Sequence, residues 1–143
     1  MSEINLDAEI NELAEQIASE GAMYVQKKLM AEVPSLLEDS FYDRYNPVAY
    51  DRTDNIKYNS YFPYGYKTSK MYEGGIEVSS MFMDTYRYGK WTPEKVMQEV
   101  WFRGNHGDWV ITPPSPFEYI TNYVHSQAFE NDVWKHITNV CLK

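Results

Sequence analysis

Few side chains in this sequence are able to do chemistry, and their spacing limits what they could do. No two of the three histidines, His106, His125 and His136, lie at a metal-ligand interval, and the single cysteine, Cys141, has no second cysteine beside it. A zinc site is therefore not expected. His125 and His136 are eleven residues apart, roughly 16 Å along an unbroken helix, too far to share a ligand, and surface or packing roles are expected for both. The segment GNHGDW sets His106 and Asp108 between glycines, an arrangement an acid–base loop could use. A catalytic histidine, however, needs a nucleophile or an orienting carboxylate fixed in space, and glycines more often serve turns. No Gly-x-Ser-x-Gly elbow, Walker loop or dinucleotide fingerprint occurs, and the EGG run at 73–75 does not open a helix. No catalytic residue, metal or cofactor is expected, and no enzymatic activity.

The elements that must position these groups are bounded by composition. A chain of 143 residues has the length of one ordinary domain, burying roughly 68–70% of its unfolded surface; no repeat or linker divides it, and 1–143 reads as a single domain. Thirteen tyrosines dominate an aromatic share of 16%, so much of the buried area comes from rings that want a hydrogen-bond partner. The net charge of -8 is concentrated early: residues 1–39 hold nine acids against two lysines, residues 40–103 eight acids against nine bases. With no basic stripe, a grip on nucleic acid through phosphate neutralisation is not expected. A lone cysteine favours a reducing compartment. The first twenty residues carry six acids and no Lys or Arg, and no run of eighteen apolar residues occurs, so neither a signal peptide nor a membrane span is expected.

Residues 6–31 place Ile10, Leu13, Ala14, Ile17, Ala18, Tyr24, Val25 and Leu29 mostly at three- and four-residue steps with Glu9, Glu12, Glu15 and Glu20 off that row, which predicts a long amphipathic helix. Gly21 marks a bend or a close approach. Pro34 is expected to end the helix, and Ser35 with Glu38 to cap a second one running to about Tyr45, broken by Asn46-Pro47. From 60 to 83 the pattern shifts toward period two, predicting an antiparallel hairpin of SYFPYGY and GIEVSSMFM joined by KTSKMYEGG, with Pro63 on an edge or at a bulge. Thr92 as cap, Pro93 at the first position and Gly104 as stop delimit a short helix over 93–103. Ser115 and Glu118 form a second capping box, opening C-terminal helices that carry Tyr119, Ile120, Tyr123, Val124, Val133, Trp134, Ile137 and Cys141, with a break expected near ENDV at 130–133. The sum is an α+β fold, because strands that follow one another without a crossover helix pair antiparallel.

Two surfaces could carry a binding role. Tyr61, Phe62, Tyr64 and Tyr66 lie on an expected edge strand, where open backbone groups and large amphipathic rings together make a docking surface; the same rings could cover this domain's own helices or stack on sugars. The acids of the first helix are explained by solvation, or by facing a like-charged partner such as passing DNA.

YNPVAYDRTDNIKYNSY at 45–61, a hairpin, YGKWTPEKVMQEVWFRGNHG at 88–107 and PSPFEYI at 114–120 follow one another in an order that resembles the tail-completion or neck proteins of long-tailed bacteriophages. The matching positions are Tyr50, Arg52, Thr53, Ser60, Gly104, His106, Gly107, Pro114, Ser115 and Pro116, over roughly residues 40–120. The family's Arg-Thr-Gly-x-Leu form is replaced here by Arg52, Thr53, Asp54, Asn55 and Ile56, which keeps the turn character without the glycine. The resemblance implies a virion structural protein made in the bacterial host cytoplasm. Such proteins form a homo-oligomeric ring, a hexamer by expectation, between neighbouring connector and tail proteins, and genome DNA passes through it without sequence-specific binding. It implies no enzyme activity. In this reading Arg52 and Thr53 belong to a connector that aims the tyrosine-bearing strand at the next subunit, and His106 and Trp109 are loop contacts. The alternatives are a monomeric peptide- or sugar-binding module using the tyrosine strand and a hydrolase using His106 and Asp108.

Overall fold

Asn5 starts the first helix by accepting the Ala8 N–H on Oδ1 at 3.2 Å, and helix α1 then runs unbroken over Leu6–Ser40. The computed structural model describes residues 5–44, 55–68, 71–81, 91–106 and 110–142. The expected stop at Pro34 and restart at Ser35 do not occur. A proline inside a helix lacks one N–H and crowds the carbonyl four residues back, costing ~3 kcal/mol or more. Here Leu29, Val33, Leu36 and Leu37 stand on both sides of Pro34 and are all buried, and each such side chain contributes about 1.5–3 kcal/mol. A break would take half of that row off the core, so packing outweighs the local preference. Ser35 is exposed, and Glu38 pairs with Lys57 in place of the expected capping box. The helix closes at Phe41, whose N–H donates to the Leu37 carbonyl at 2.9 Å, and a single 3-10 turn, Tyr42–Arg44, follows. Tyr45 lies outside the described residues.

A short helix α2, Asn55–Asn59, leads into the hairpin. Strands β1, Tyr61–Lys67, and β2, Tyr72–Val78, pair antiparallel from Tyr61 opposite Val78 to Lys67 opposite Tyr72. The glycines expected in the connection belong to β2, which begins at Tyr72 and ends at Val78, short of the predicted 83. A Cβ on Gly74 would lie 1.8 Å from the Ala22 carbonyl oxygen, so glycine is what lets the sheet lie directly on the backbone of α1. Pro63 sits opposite Ile76; among the described residues the sheet has two strands, so each has an edge without a partner strand, where a missing N–H is tolerated.

Helix α3, Pro93–Val96, is capped by Thr92, which accepts from the Lys95 N–H at 3.2 Å, and it widens into a π-turn over Met97–Phe102. The wider turn buries Val96, Val100 and Trp101 together. Gly104, at φ 69, ends the element in a conformation that disfavours side chains. Helix α4, Pro116–Val124, opens with the expected Ser115–Glu118 capping box. Helix α5, Gln127–Cys141, starts ahead of the expected break: ENDV lies inside it, and Ser126 caps it by accepting from the Phe129 N–H. The architecture is α+β, with the hairpin on one face of α1 and α5 antiparallel on another, since Lys28 meets Asp132, Tyr24 meets His136 and Gly21 meets Ile137. Gly21 is thus a close approach of α5 and not a break in the helix.

Candidate functional site

The hairpin is fixed at its base and at its tip. At the base, the buried Ser60 donates its hydroxyl to the Ile56 carbonyl and accepts from Trp101 Nε1 at 2.9 Å. Tyr61 meets the same indole edge-on, with ring centroids 6.4 Å apart, and Tyr42 Oη accepts the Lys57 N–H at 3.2 Å. At the tip, Tyr72 donates to Glu15 Oε1 at 2.6 Å, and Lys67 Nζ lies 3.5 Å from the same oxygen. The Tyr72 hydrogen bond first, and the Lys67 charge second, hold the Glu15 carboxyl below the usual carboxylate range. Tyr64 donates across the strands to Glu73 Oε2 at 3.1 Å, which pushes its phenol up.

Strand alternation divides the tyrosines. Tyr61 belongs with Pro63, Gly65 and Lys67 on the face turned to α1, and it is buried. Phe62 is half-buried, and Tyr64 and Tyr66 are exposed. The aromatic surface expected at Tyr61, Phe62, Tyr64 and Tyr66 therefore reduces to the last three, while Tyr61 holds the strand to the core. Arg52 and Thr53 lie outside the described residues.

Beside the hairpin runs an open groove of about 670 Å³, lined by residues of α1 including Ala18, Gly21 and Ala22, by Tyr64, Tyr72 and Gly75 of the hairpin, and by Trp134 of α5. Glu73 is the charged residue among those that line it. Trp134, expected in the apolar row of the last helix, is 53% exposed. The signal was present: Phe129, Val133 and Ile137 form a complete i, i+4 row, and Trp134 falls about a quarter-turn off it.

The loop after the π-turn is tied inward. His106 is buried with its ring stacked on Phe41, centroids 4.1 Å apart, and its Nε2 lies 2.7 Å from Thr112 Oγ1. Its N–H donates to the Val110 carbonyl at 2.8 Å. Glu99 receives Asn105 Nδ2 at 2.8 Å and Arg103 at 2.9 Å. Burial works against the Glu99 carboxylate, but the hydrogen bonds from Asn105 and Arg103 prevail and hold its carboxyl below the usual range. Asp108 and Trp109 lie outside the described residues.

The other two histidines stand on different elements, with His125 at the end of α4 and His136 within α5. His136 stacks on Tyr24 at 4.2 Å between centroids and lies 3.5 Å from Glu20. Between α1 and α5, Lys28 Nζ is 3.0 Å from both Glu32 and Asp132. Burial opposes its charge, but those two carboxylates raise its pKa. Among the described residues no group of three His, Cys, Asp or Glu is placed to hold a metal ion, and no helix is long and apolar enough to cross a membrane. Comparison of the chain with protein-family models, curated proteins and solved structures finds no match.

Proposed function

We propose that the chain is a structural protein of the bacteriophage neck, a tail-completion protein whose copies form a ring at the head–tail junction through which DNA passes. The ordered motifs from YNPVAYDRT to PSPFEYI support this reading. The observation that carries it is the hairpin: it is braced at both ends, keeps two strand edges open among the described residues, and turns Tyr64 and Tyr66 outward. Edges and aromatic anchors on a fixed strand pair suit a heterologous contact, in which one patch meets a different patch on the next subunit until the rotation closes. The net charge of -8 suits a channel that lets DNA slide past without holding it. In the proposed particle the protein sits in the virion neck, between connector and tail proteins, as a hexamer.

Electron micrographs of particles lacking the protein test this reading, which expects filled heads and finished tails that remain separate. A protein that stays monomeric both when purified and within intact virions refutes it. The groove that Tyr64, Tyr72 and Trp134 help to line favours a second reading, a monomeric module that binds a peptide or sugar by stacking on those rings. Saturable binding by the monomer, lost on Tyr64→Ala, would select it over the ring.

A further inference from the structure

The apolar row of α1 that α5 covers continues past the point where α5 stops. Ile137 sits against Gly21, so in an antiparallel pair Cys141, the last residue of α5, is level with about Ile17. Beyond it on the same face come Leu13, Ile10 and Leu6, 39%, 57% and 64% exposed, the exposure rising with distance from α5. The four-three-four spacing of Leu6, Ile10, Leu13 and Ile17 is the seam one helix offers to another. This segment is a formed helix start, because Asn5 caps it and Asp7 and Glu9 occupy the first turn, where the helix dipole favours acids.

Charge decides what can cover the seam. Asp7 and Glu9 flank it on opposite sides, Glu12 lies farther round, and no Lys or Arg occurs before Lys27. Asp7, Glu9 and Glu12 take part in no ion pair among the described residues. Pairing with the same segment of a second copy would bring together two stretches that each carry Asp7, Glu9, Glu12 and Glu15 and no Lys or Arg, a like-charge repulsion that opposes association. We propose that residues 6–17 are a docking helix for a different polypeptide, an amphipathic helix whose aliphatic seam is flanked by Lys or Arg and which lies on α1 in line with α5. The proposal stands apart from the ring, since it requires one copy of this chain and one of the partner.

The test uses the full-length protein and a labelled three-heptad helical peptide with a leucine seam and lysine flanks, read by fluorescence anisotropy. Saturable binding is expected, weakened more than about tenfold by Ile10→Ser with Leu13→Ser, and weakened by raising salt from about 0.05 to 0.5 M. Both positions are exposed, so an unchanged thermal melt checks that the variant folds. Reversing Asp7→Lys and Glu9→Lys should move the preference to a glutamate-flanked version of the peptide. Absence of saturable binding, equal binding of the two peptides, or indifference to Ile10→Ser with Leu13→Ser overturns the proposal. So does concentration-dependent self-association that the same double variant abolishes, which would assign the face to a second copy.

Discussion

Gly74 and Gly75 are neighbours in β2, and replacing each by alanine should move stability in opposite directions. A Cβ at Gly74 would meet the Ala22 carbonyl oxygen at 1.8 Å and its carbonyl carbon at 2.5 Å, while one at Gly75 meets nothing within 4 Å. The obstacle at Gly74 is backbone in the middle of α1, which has no rotamer to change. To rise from 1.8 Å to the 3.0 Å below which such contacts are essentially never seen, the strand must lift by about 1.2 Å. A gap of only ~0.5–1 Å already forfeits a quarter to a half of each dispersion contact, and the lift would extend to the inward-facing neighbours Ile76 and Tyr72. Overpacking typically costs 1–3 kcal/mol; with the loosened interface added, Gly74→Ala should cost about 3 kcal/mol or more, a fall of roughly 6–12 °C in Tm for a domain of this size. Gly75→Ala should gain about 0.5 kcal/mol, because alanine restricts the unfolded chain without meeting an obstacle. Urea midpoints followed by tryptophan fluorescence measure both. A Gly74→Ala loss below about 0.5 kcal/mol, or equal losses at the two positions, would refute the claim that the sheet rests on the backbone of α1.

Ser60→Ala should cost about 1–3 kcal/mol by leaving Trp101 Nε1 buried without its acceptor; a double-mutant cycle with Trp101→Phe should show coupling, and additive effects would count against the pair. Ser40→Ala should raise stability by about 1 kcal/mol, since the Ser40 hydroxyl is buried with no hydrogen-bond partner among the described residues; a loss in thermal melts would show that the hydroxyl has one. Glu99 is held below the usual carboxylate range, so its contribution is complete above the unfolded value, about pH 4.3, and is lost as pH falls through the lower folded one. Glu99→Gln should therefore cost stability at neutral pH and narrow its margin to the wild type on acidification; a constant difference across that window would contradict the assignment.

What could be read from the sequence was local. Thr92 with Pro93, Ser115 with Glu118, and Gly104 each act through atoms within a few residues, and the structure has them where capping chemistry puts them. What escaped was decided at a distance. Pro34 and Ser35 carry a local stop-and-start signal, but Leu29, Val33, Leu36 and Leu37 are held by elements that follow much later in the chain. Gly74-Gly75 has the composition of a turn, and only the Ala22 carbonyl fifty residues earlier explains why it is strand. Ser126 was legible and missed: it is a capping serine two residues after an apolar pair, and it sets the α4–α5 break ahead of ENDV. In the candidate site, the outward Tyr64 and Tyr66 follow from alternation along a strand. Tyr61 turned inward because Trp101 and Ser60 claim that end of the hairpin.

The pairing of α1 with α5 also bears on how the chain is made. Lys28 and Asp132 are 104 positions apart in sequence, so α1 is synthesised well before α5 can cover its Gly21–Lys28 face. Until then Gly21, Tyr24 and Lys28 lie on α1 without the cover that Ile137, His136 and Asp132 give them in the folded chain. Closure over so long a loop comes late and slowly relative to the hairpin, which makes α5 the element whose arrival covers that side of α1 and whose truncation should leave α1 exposed to proteolysis along that same face.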